Sequence, residues 1–136
     1  TYNPEQAEEG VLYPCHSITI QFYVQDNNLD MFCYNRSQDT FLGVPYNIAS
    51  SSLLLMIVAK LTNKIPRYFK MTMGDTHLYG EHIDQAKEQI GRRPFKFPIL
   101  KIPDITDIDD INLLEANQFT LENYQFHPTI KASMIV

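Results

Sequence analysis

Residues 36–61 read RSQDTFLGVPYNIASSSLLLMIVAKL, and the fold turns on this stretch. It opens on Arg36, Ser37 and Asp39, turns through Gly43 and Pro45, and enters an almost wholly apolar run. Polar groups fixed onto a buried element are held rigidly enough for binding or catalysis. We therefore expect a functional loop followed by a central helix that starts near Asn47 or Ser50 and ends at about Thr62. Gly43 and Pro45 are expected to keep the preceding residues out of any regular element. Ile48, Leu53, Leu54, Leu55, Ile57 and Leu61 leave the helix no clean polar face. A helix apolar nearly all round belongs in a larger core or at an interface. A chain this small can scarcely wrap it alone, which points to further sequence, a partner subunit, or both.

Upstream, residues 16–24 (HSITIQFYV) alternate apolar and polar, the period of a strand. Residues 25–28 (QDNN) form a turn, since Asp and Asn bond their own backbone there. A second strand spans residues 29–35, with Leu29, Met31 and Cys33 on one face. The pair is expected to be an antiparallel hairpin. Its open end would set Cys15, before the first strand, beside Arg36, after the second. Downstream, residues 68–73 suit a strand, 74–80 a turn and 81–91 an amphipathic helix stopped by Pro94. Residues 97–102 and 119–126 suit strands, and the acidic residues 103–112 a loop. The expected class is α/β (α+β), a mixed or antiparallel sheet against a long buried central helix, in one domain over residues 1–136.

Composition narrows the function classes. The 136 residues carry a net charge of -5, so a nucleic-acid surface is not the default. The apolar run 53–59 is far shorter than the about 20 residues that span a bilayer, and no membrane partner is expected. Cys15 and Cys33 are the only cysteines and form no CxxC pair, which fits a reducing, cytoplasmic setting. The opening TYNPEQAEEG has no initiator methionine and reads as the end of one element running into a loop. We expect a piece of a longer or processed protein.

Several side chains can carry chemistry. A Cys15 thiolate beside a cation would be a strong nucleophile; the alternative is a core cysteine at a strand end. His16 is poorly set to deprotonate Cys15, because neighbours in a strand face opposite ways. Arg36 and Ser37 offer a guanidinium fork and a hydroxyl to a phosphate, or Arg36 pairs on the surface with Asp39 or Asp30. Asn47 is either a helix cap or an amide that reads a ligand edge. His77 and Tyr79 flank Leu78, so two hydrogen-bonding tips can share a direction. A metal site from Cys15, His16, Cys33, His77, His82 and His127 lacks any recognised ligand spacing. No glycine-rich phosphate loop occurs.

YPCH, the block RSxDxFLGxPxNIA, GDxHxY and a closing YxxHPxIK together resemble thymidylate synthase in order and spacing, across the whole chain. The resemblance is to the C-terminal half of that catalytic domain. It implies a methyltransferase that converts dUMP to dTMP with 5,10-methylenetetrahydrofolate as one-carbon donor and reductant, without a metal. Cys15 would attack carbon 6 of the pyrimidine. Arg36 would hold the phosphate and favour the thiolate, and Ser37 would add a hydrogen bond. Asn47 would read the uracil, His77 and Tyr79 the sugar, and His16 would join the polar network around the ring. Asp39, Gly43 and Ile135 would lie by the folate, the tail closing over the ligands. Asn35 replaces the usual glutamine, Tyr46 a phenylalanine and Tyr13 a proline. The family's catalytic glutamate, its folate-side tryptophan and the arginines donated across its homodimer would precede Tyr2. The resemblance thus implies a homodimer, or association with a missing N-terminal portion, and little activity for these residues alone. Two alternatives stay open: a dUMP hydroxymethylase, which Asn47 does not exclude, and a non-catalytic nucleotide-binding fragment.

Overall fold

The computed structural model describes residues 19–135. Strands β1 (Thr19–Gln25) and β2 (Asn28–Asp39) form the expected antiparallel hairpin, with Thr19 opposite Tyr34 and Gln25 opposite Asn28. Asp26 turns the chain at φ 56°, a left-handed conformation that aspartate tolerates. Helix α1 (Gly43–Leu61) then crosses over to β3 (Ile65–His77), which lies parallel to β2. Parallel neighbours need such a crossover, and the helix covers the face it crosses. The order β1-β2-β3 makes a mixed three-stranded sheet. Beyond it come a 3-10 turn (Gly80–His82), α2 (Ile83–Gly91), and a two-stranded antiparallel sheet of β4 (Ile99–Lys101) and β5 (Thr120–Glu122).

Several expected boundaries move. Helix α1 begins at Gly43, four residues before Asn47. Pro45 sits in its first turn, where the missing N–H costs no helical hydrogen bond. Strand β2 runs on through Arg36 and Ser37 to Asp39, and β3 takes in residues 74–77, where a turn was expected. The parallel pairing of β2 with β3, Ser37 opposite Asp75 and Asp39 opposite His77, extends both strands. Local residue preference does not register that long-range pairing. The helix expected at 81–91 splits into the 3-10 turn and α2. The strands expected at 97–102 and 119–126 shrink to three residues each, and the acidic loop folds in part into a 3-10 helix, Ile108–Leu113.

The core lies between α1 and the inner face of the sheet. Leu29, Met31, Leu55 and Ala59 cluster there, with Val58 and Phe69 against them. Burying side chains such as Leu29, Met31 and Leu55 contributes roughly 2 kcal/mol each. The end of α1 is closed by a Schellman arrangement: Asn63 at φ 52° donates to the Lys60 carbonyl and Lys64 to that of Ala59. Lys64 leads directly into β3, whose Ile65 donates to Asn27 in the hairpin turn. Only the edge Ser51, Leu55, Ala59 of α1 is buried; Pro45, Tyr46, Ile48, Ala49 and Leu54 are exposed and the other apolar side chains partly so. The whole helix, unlike the run 53–59, is long and apolar enough to cross a membrane by length and composition. Core helices of water-soluble proteins share those two properties, and this one packs on its own sheet.

On the outer face, Arg67 of β3 clips Asp30 of β2. Its Nε and Nη2 donate to the two carboxylate oxygens at 2.9 and 2.7 Å, and the Tyr68 N–H adds a third bond at 3.1 Å. The hydrogen bond from Arg67 holds the Asp30 carboxyl below its ordinary value of 3.8. A lowered carboxylate value means the clip contributes fully above the ordinary aspartate range and is lost as pH falls through the lowered one. In a carboxyl-carbon NMR titration, Asp30 is therefore expected to have its midpoint below 3.8 and to move upward in Arg67→Ala. A wild-type midpoint at or above 3.8 contradicts the clip.

Candidate active site

The end of β2, the first turns of α1, the end of β3 and the C-terminal tail converge on one cavity of about 820 Å³. Its wall includes Ser37 and Asp39 from β2, Gly43, Tyr46 and Asn47 from α1, and His77 and Tyr79 at and beyond the end of β3. Leu42, Ala132, Met134 and Ile135 complete it. Seven residues singled out from the sequence thus share one wall: Ser37, Asp39, Gly43, Asn47, His77, Tyr79 and Ile135. Arg36 lies exposed on β2 and does not line this cavity. Cys15 and His16, with the expected meeting of Cys15 and Arg36, lie outside the described residues.

The local turns explain how these groups come together. Asp39 Oδ1 accepts from the backbone N–H of Phe41 at 3.0 Å and of Leu42 at 3.3 Å, bending the chain from β2 into α1. The N–H and the hydroxyl of Thr40 both donate to the His77 carbonyl at 2.9 Å, tying that bend to the end of β3. Gly43 sits beside the turn, where an added Cβ would meet the Asp39 side chain at 3.4 Å, an ordinary contact. Asn47 is not a helix cap, since α1 starts four residues earlier. Its Nδ2 donates to Gln38 Oε1 at 3.0 Å. Gln38 is fully buried, and its Nε2 has no partner among the described residues.

The surface pairings open to Arg36 do not form. Asp30 is taken by Arg67, and Asp39 by the turn amides. Among the described residues Arg36 has no ion pair, and its side chain is exposed on β2 next in sequence to Ser37. The Arg36 carbonyl lies against Gly74 of β3, where a Cβ would come within 2.7 Å of it. Asn35, which stands in place of the family's glutamine, is fully buried; it accepts from Cys33 Sγ at 3.0 Å and donates to Met71 Sδ at 3.3 Å.

A chain of rings runs from His77 and Tyr79 to His82 and Phe41. His77 meets Tyr79 edge-on at 5.1 Å, Tyr79 meets His82 edge-on at 5.7 Å, and His82 leans on Phe41 at 5.5 Å. Sequence reasoning missed Gln38 and weighed His82 only as a candidate metal ligand. Its ring contact was detectable: Tyr79 and His82 are three residues apart, the spacing that stacks side chains in a 3-10 turn. Among the described residues, no three His, Cys, Asp or Glu side chains are grouped to hold a metal ion.

Comparison with known proteins agrees with this arrangement. The family model described as thymidylate synthase matches residues 1–136. The chain belongs to the thymidylate synthase family. A thymidylate synthase of Aster yellows witches'-broom phytoplasma (strain AYWB) is 45% identical over 137 residues, which cover 100% of this chain and 46% of that protein. The chain thus spans about half the length of the curated relative it matches. The thymidylate synthase-like fold is present as a mixed sheet against a central helix.

Proposed function

We propose that this chain carries the nucleotide half of a thymidylate synthase site and, in the intact protein, methylates dUMP to dTMP. The observation that carries the reading is the single cavity shared by Ser37, Asn47, His77 and Tyr79 on its polar side and Leu42, Tyr46, Met134 and Ile135 on its apolar side. Its about 820 Å³ lies high in the range of roughly 300–1,000 Å³ for small-molecule sites. That volume suits a polar nucleotide beside a flat aromatic ring, and the donor set fits 5,10-methylenetetrahydrofolate stacked along the apolar side.

In this reading the phosphate sits at Arg36 and Ser37, the guanidinium supplying charge and the hydroxyl a directed bond. Asn47 offers one amide N–H to the oxygen at carbon 4 and its carbonyl to the neighbouring ring N–H. Its bond to Gln38 restrains the rotation of the amide. His77 and Tyr79 take the 3′-hydroxyl. The Cys15 thiolate donates its electron pair to carbon 6, and the ring's π electrons move toward carbon 5 and the oxygen at carbon 4. Carbon 5 then bonds to the one-carbon unit and loses its proton. As that proton leaves, the bond between the one-carbon unit and the folate nitrogen breaks; hydride from the resulting tetrahydrofolate then reduces the unit to methyl while the Cys15–carbon 6 bond breaks and returns the thiolate, and the folate leaves as dihydrofolate. Asp39 and Gly43 border the folate, and the tail excludes water. The outer face of the sheet, with Tyr23, Phe32, Tyr34 and Tyr68 exposed, supports a homodimer as the working form.

The intact protein, given dUMP tritiated at carbon 5 and methylenetetrahydrofolate, should release one tritium per dTMP formed. A 5-hydroxymethyl product would replace this reading with the hydroxymethylase. Binding of dUMP with all tritium retained would replace it with a non-catalytic nucleotide-binding role.

A further inference from the structure

The chain of rings from His77 to His82 ends on a contact that the proposed chemistry does not use. His82 is 1% exposed, and its Nε2 lies 2.8 Å from the backbone carbonyl of Ser133. That carbonyl lies between Ala132 and Met134, two residues of the cavity wall. We propose that His82 is a positioning residue that anchors the C-terminal tail over the cavity and links it, through Tyr79 and His77, to the sugar side of the nucleotide site.

The chemistry of the contact fixes its direction. A carbonyl oxygen only accepts, so Nε2 carries the hydrogen that is donated. Nδ1 is buried with no partner among the described residues. An imidazole held this way acts as a single donor, and no neighbour competes with the tail for it. The ring cannot turn aside, because Phe41 and Tyr79 pack on it at 5.5 and 5.7 Å. Tyr79 in turn touches His77 at 5.1 Å, and both line the cavity. A nucleotide that orders Tyr79 and His77 therefore also orders the ring that holds Ser133. The tail in turn presents Met134 and Ile135 to whatever lies on the apolar side. The anchoring stands on geometry alone; the link to nucleotide and folate rests on the proposed function.

The test compares His82→Gln with His82→Leu in the intact protein. A glutamine amide can donate to the same carbonyl, whereas leucine fills space without donating. His82→Leu should speed amide exchange across residues 132–135 about tenfold, the scale of one lost hydrogen bond. It should weaken folate binding to the dUMP complex by a similar factor while dUMP binding alone changes less than about threefold. His82→Gln should restore most of both. Unchanged exchange in His82→Leu overturns the anchor, and equal losses in both variants overturn the hydrogen bond in favour of packing. Should His82→Leu fail to fold, nitrogen-15 NMR of the unmodified protein decides: hydrogen on Nε2 supports the anchor and hydrogen on Nδ1 overturns it. If the unmodified protein binds no dUMP while tail exchange responds as expected, the proposed function fails and the anchor stands.

Discussion

Cys15→Ala is expected to reduce dTMP formation by at least about a thousandfold while leaving dUMP binding within a few-fold of the parent. In the proposed function the covalent bond to carbon 6 is what makes carbon 5 nucleophilic, and an alanine side chain has no electron pair with which to form it. Loss of a nucleophile typically removes several orders of magnitude from turnover, because the remaining contacts bind without forming the intermediate. In the proposed function the nucleotide's affinity rests instead on Arg36, Ser37, Asn47, His77 and Tyr79, all of which Cys15→Ala retains. Steady-state rates and equilibrium binding of dUMP check the two halves separately. Turnover that survives in Cys15→Ala would remove the covalent step, and lost binding would mean that Cys15 mainly supports the fold.

Gly74→Ala is expected to do more damage than alanine at Gly43, Gly80 or Gly91. The added Cβ would lie 2.7 Å from the Arg36 carbonyl oxygen and 2.7 Å from the Tyr34 hydroxyl, with the Arg36 carbonyl carbon at 3.4 Å. The tyrosine tip can swing away, but the Arg36 backbone is held in β2 by pairing on both sides of Gly74, Asn35 with Met73 and Ser37 with Asp75. The strands must part locally, at a cost of about 1–3 kcal/mol. The part that moves carries Arg36 and Ser37, so dUMP affinity should fall at least about tenfold, while deoxyuridine, which lacks the phosphate, should lose less. Gly80→Ala is the control: no atom lies within 4 Å of its added Cβ, and its effect should stay within about 0.5 kcal/mol. Equal stability and dUMP affinity in Gly74→Ala and Gly80→Ala would contradict the close approach of β3 to Arg36.

The sequence made the hairpin and the central helix readable because both are signalled locally. Alternation around Asp26 and Asn27 marks the two strands, and the apolar run marks α1. What it hid was the partner of β2. Residues 74–77 carry Gly74, Asp75 and Thr76, which individually favour a turn, yet residues 75–77 pair with residues 37–39. That parallel pairing brings His77 beside Asp39 and so closes the cavity. Pro45 misled in the opposite sense, since proline stops a helix everywhere except in its first turn. The polar residues of the site were legible one at a time, and the motif spacing grouped them. Gln38 was not, because nothing around it announces a buried amide facing Asn47. His82 stood only among the candidate metal ligands; its place in the fold comes from a contact with Ser133, 51 positions along the chain.

The most direct measurement is an NMR titration of the intact protein with dUMP. The expected result is saturable perturbation of Ser37, the Asn47 side-chain amide, His77 and Tyr79, with the Arg36 guanidinium responding to dUMP and not to deoxyuridine. Perturbations centred elsewhere, on the β4–β5 sheet or the outer face around Tyr23 and Phe32, or none at saturating nucleotide, would contradict a dUMP site in this cavity.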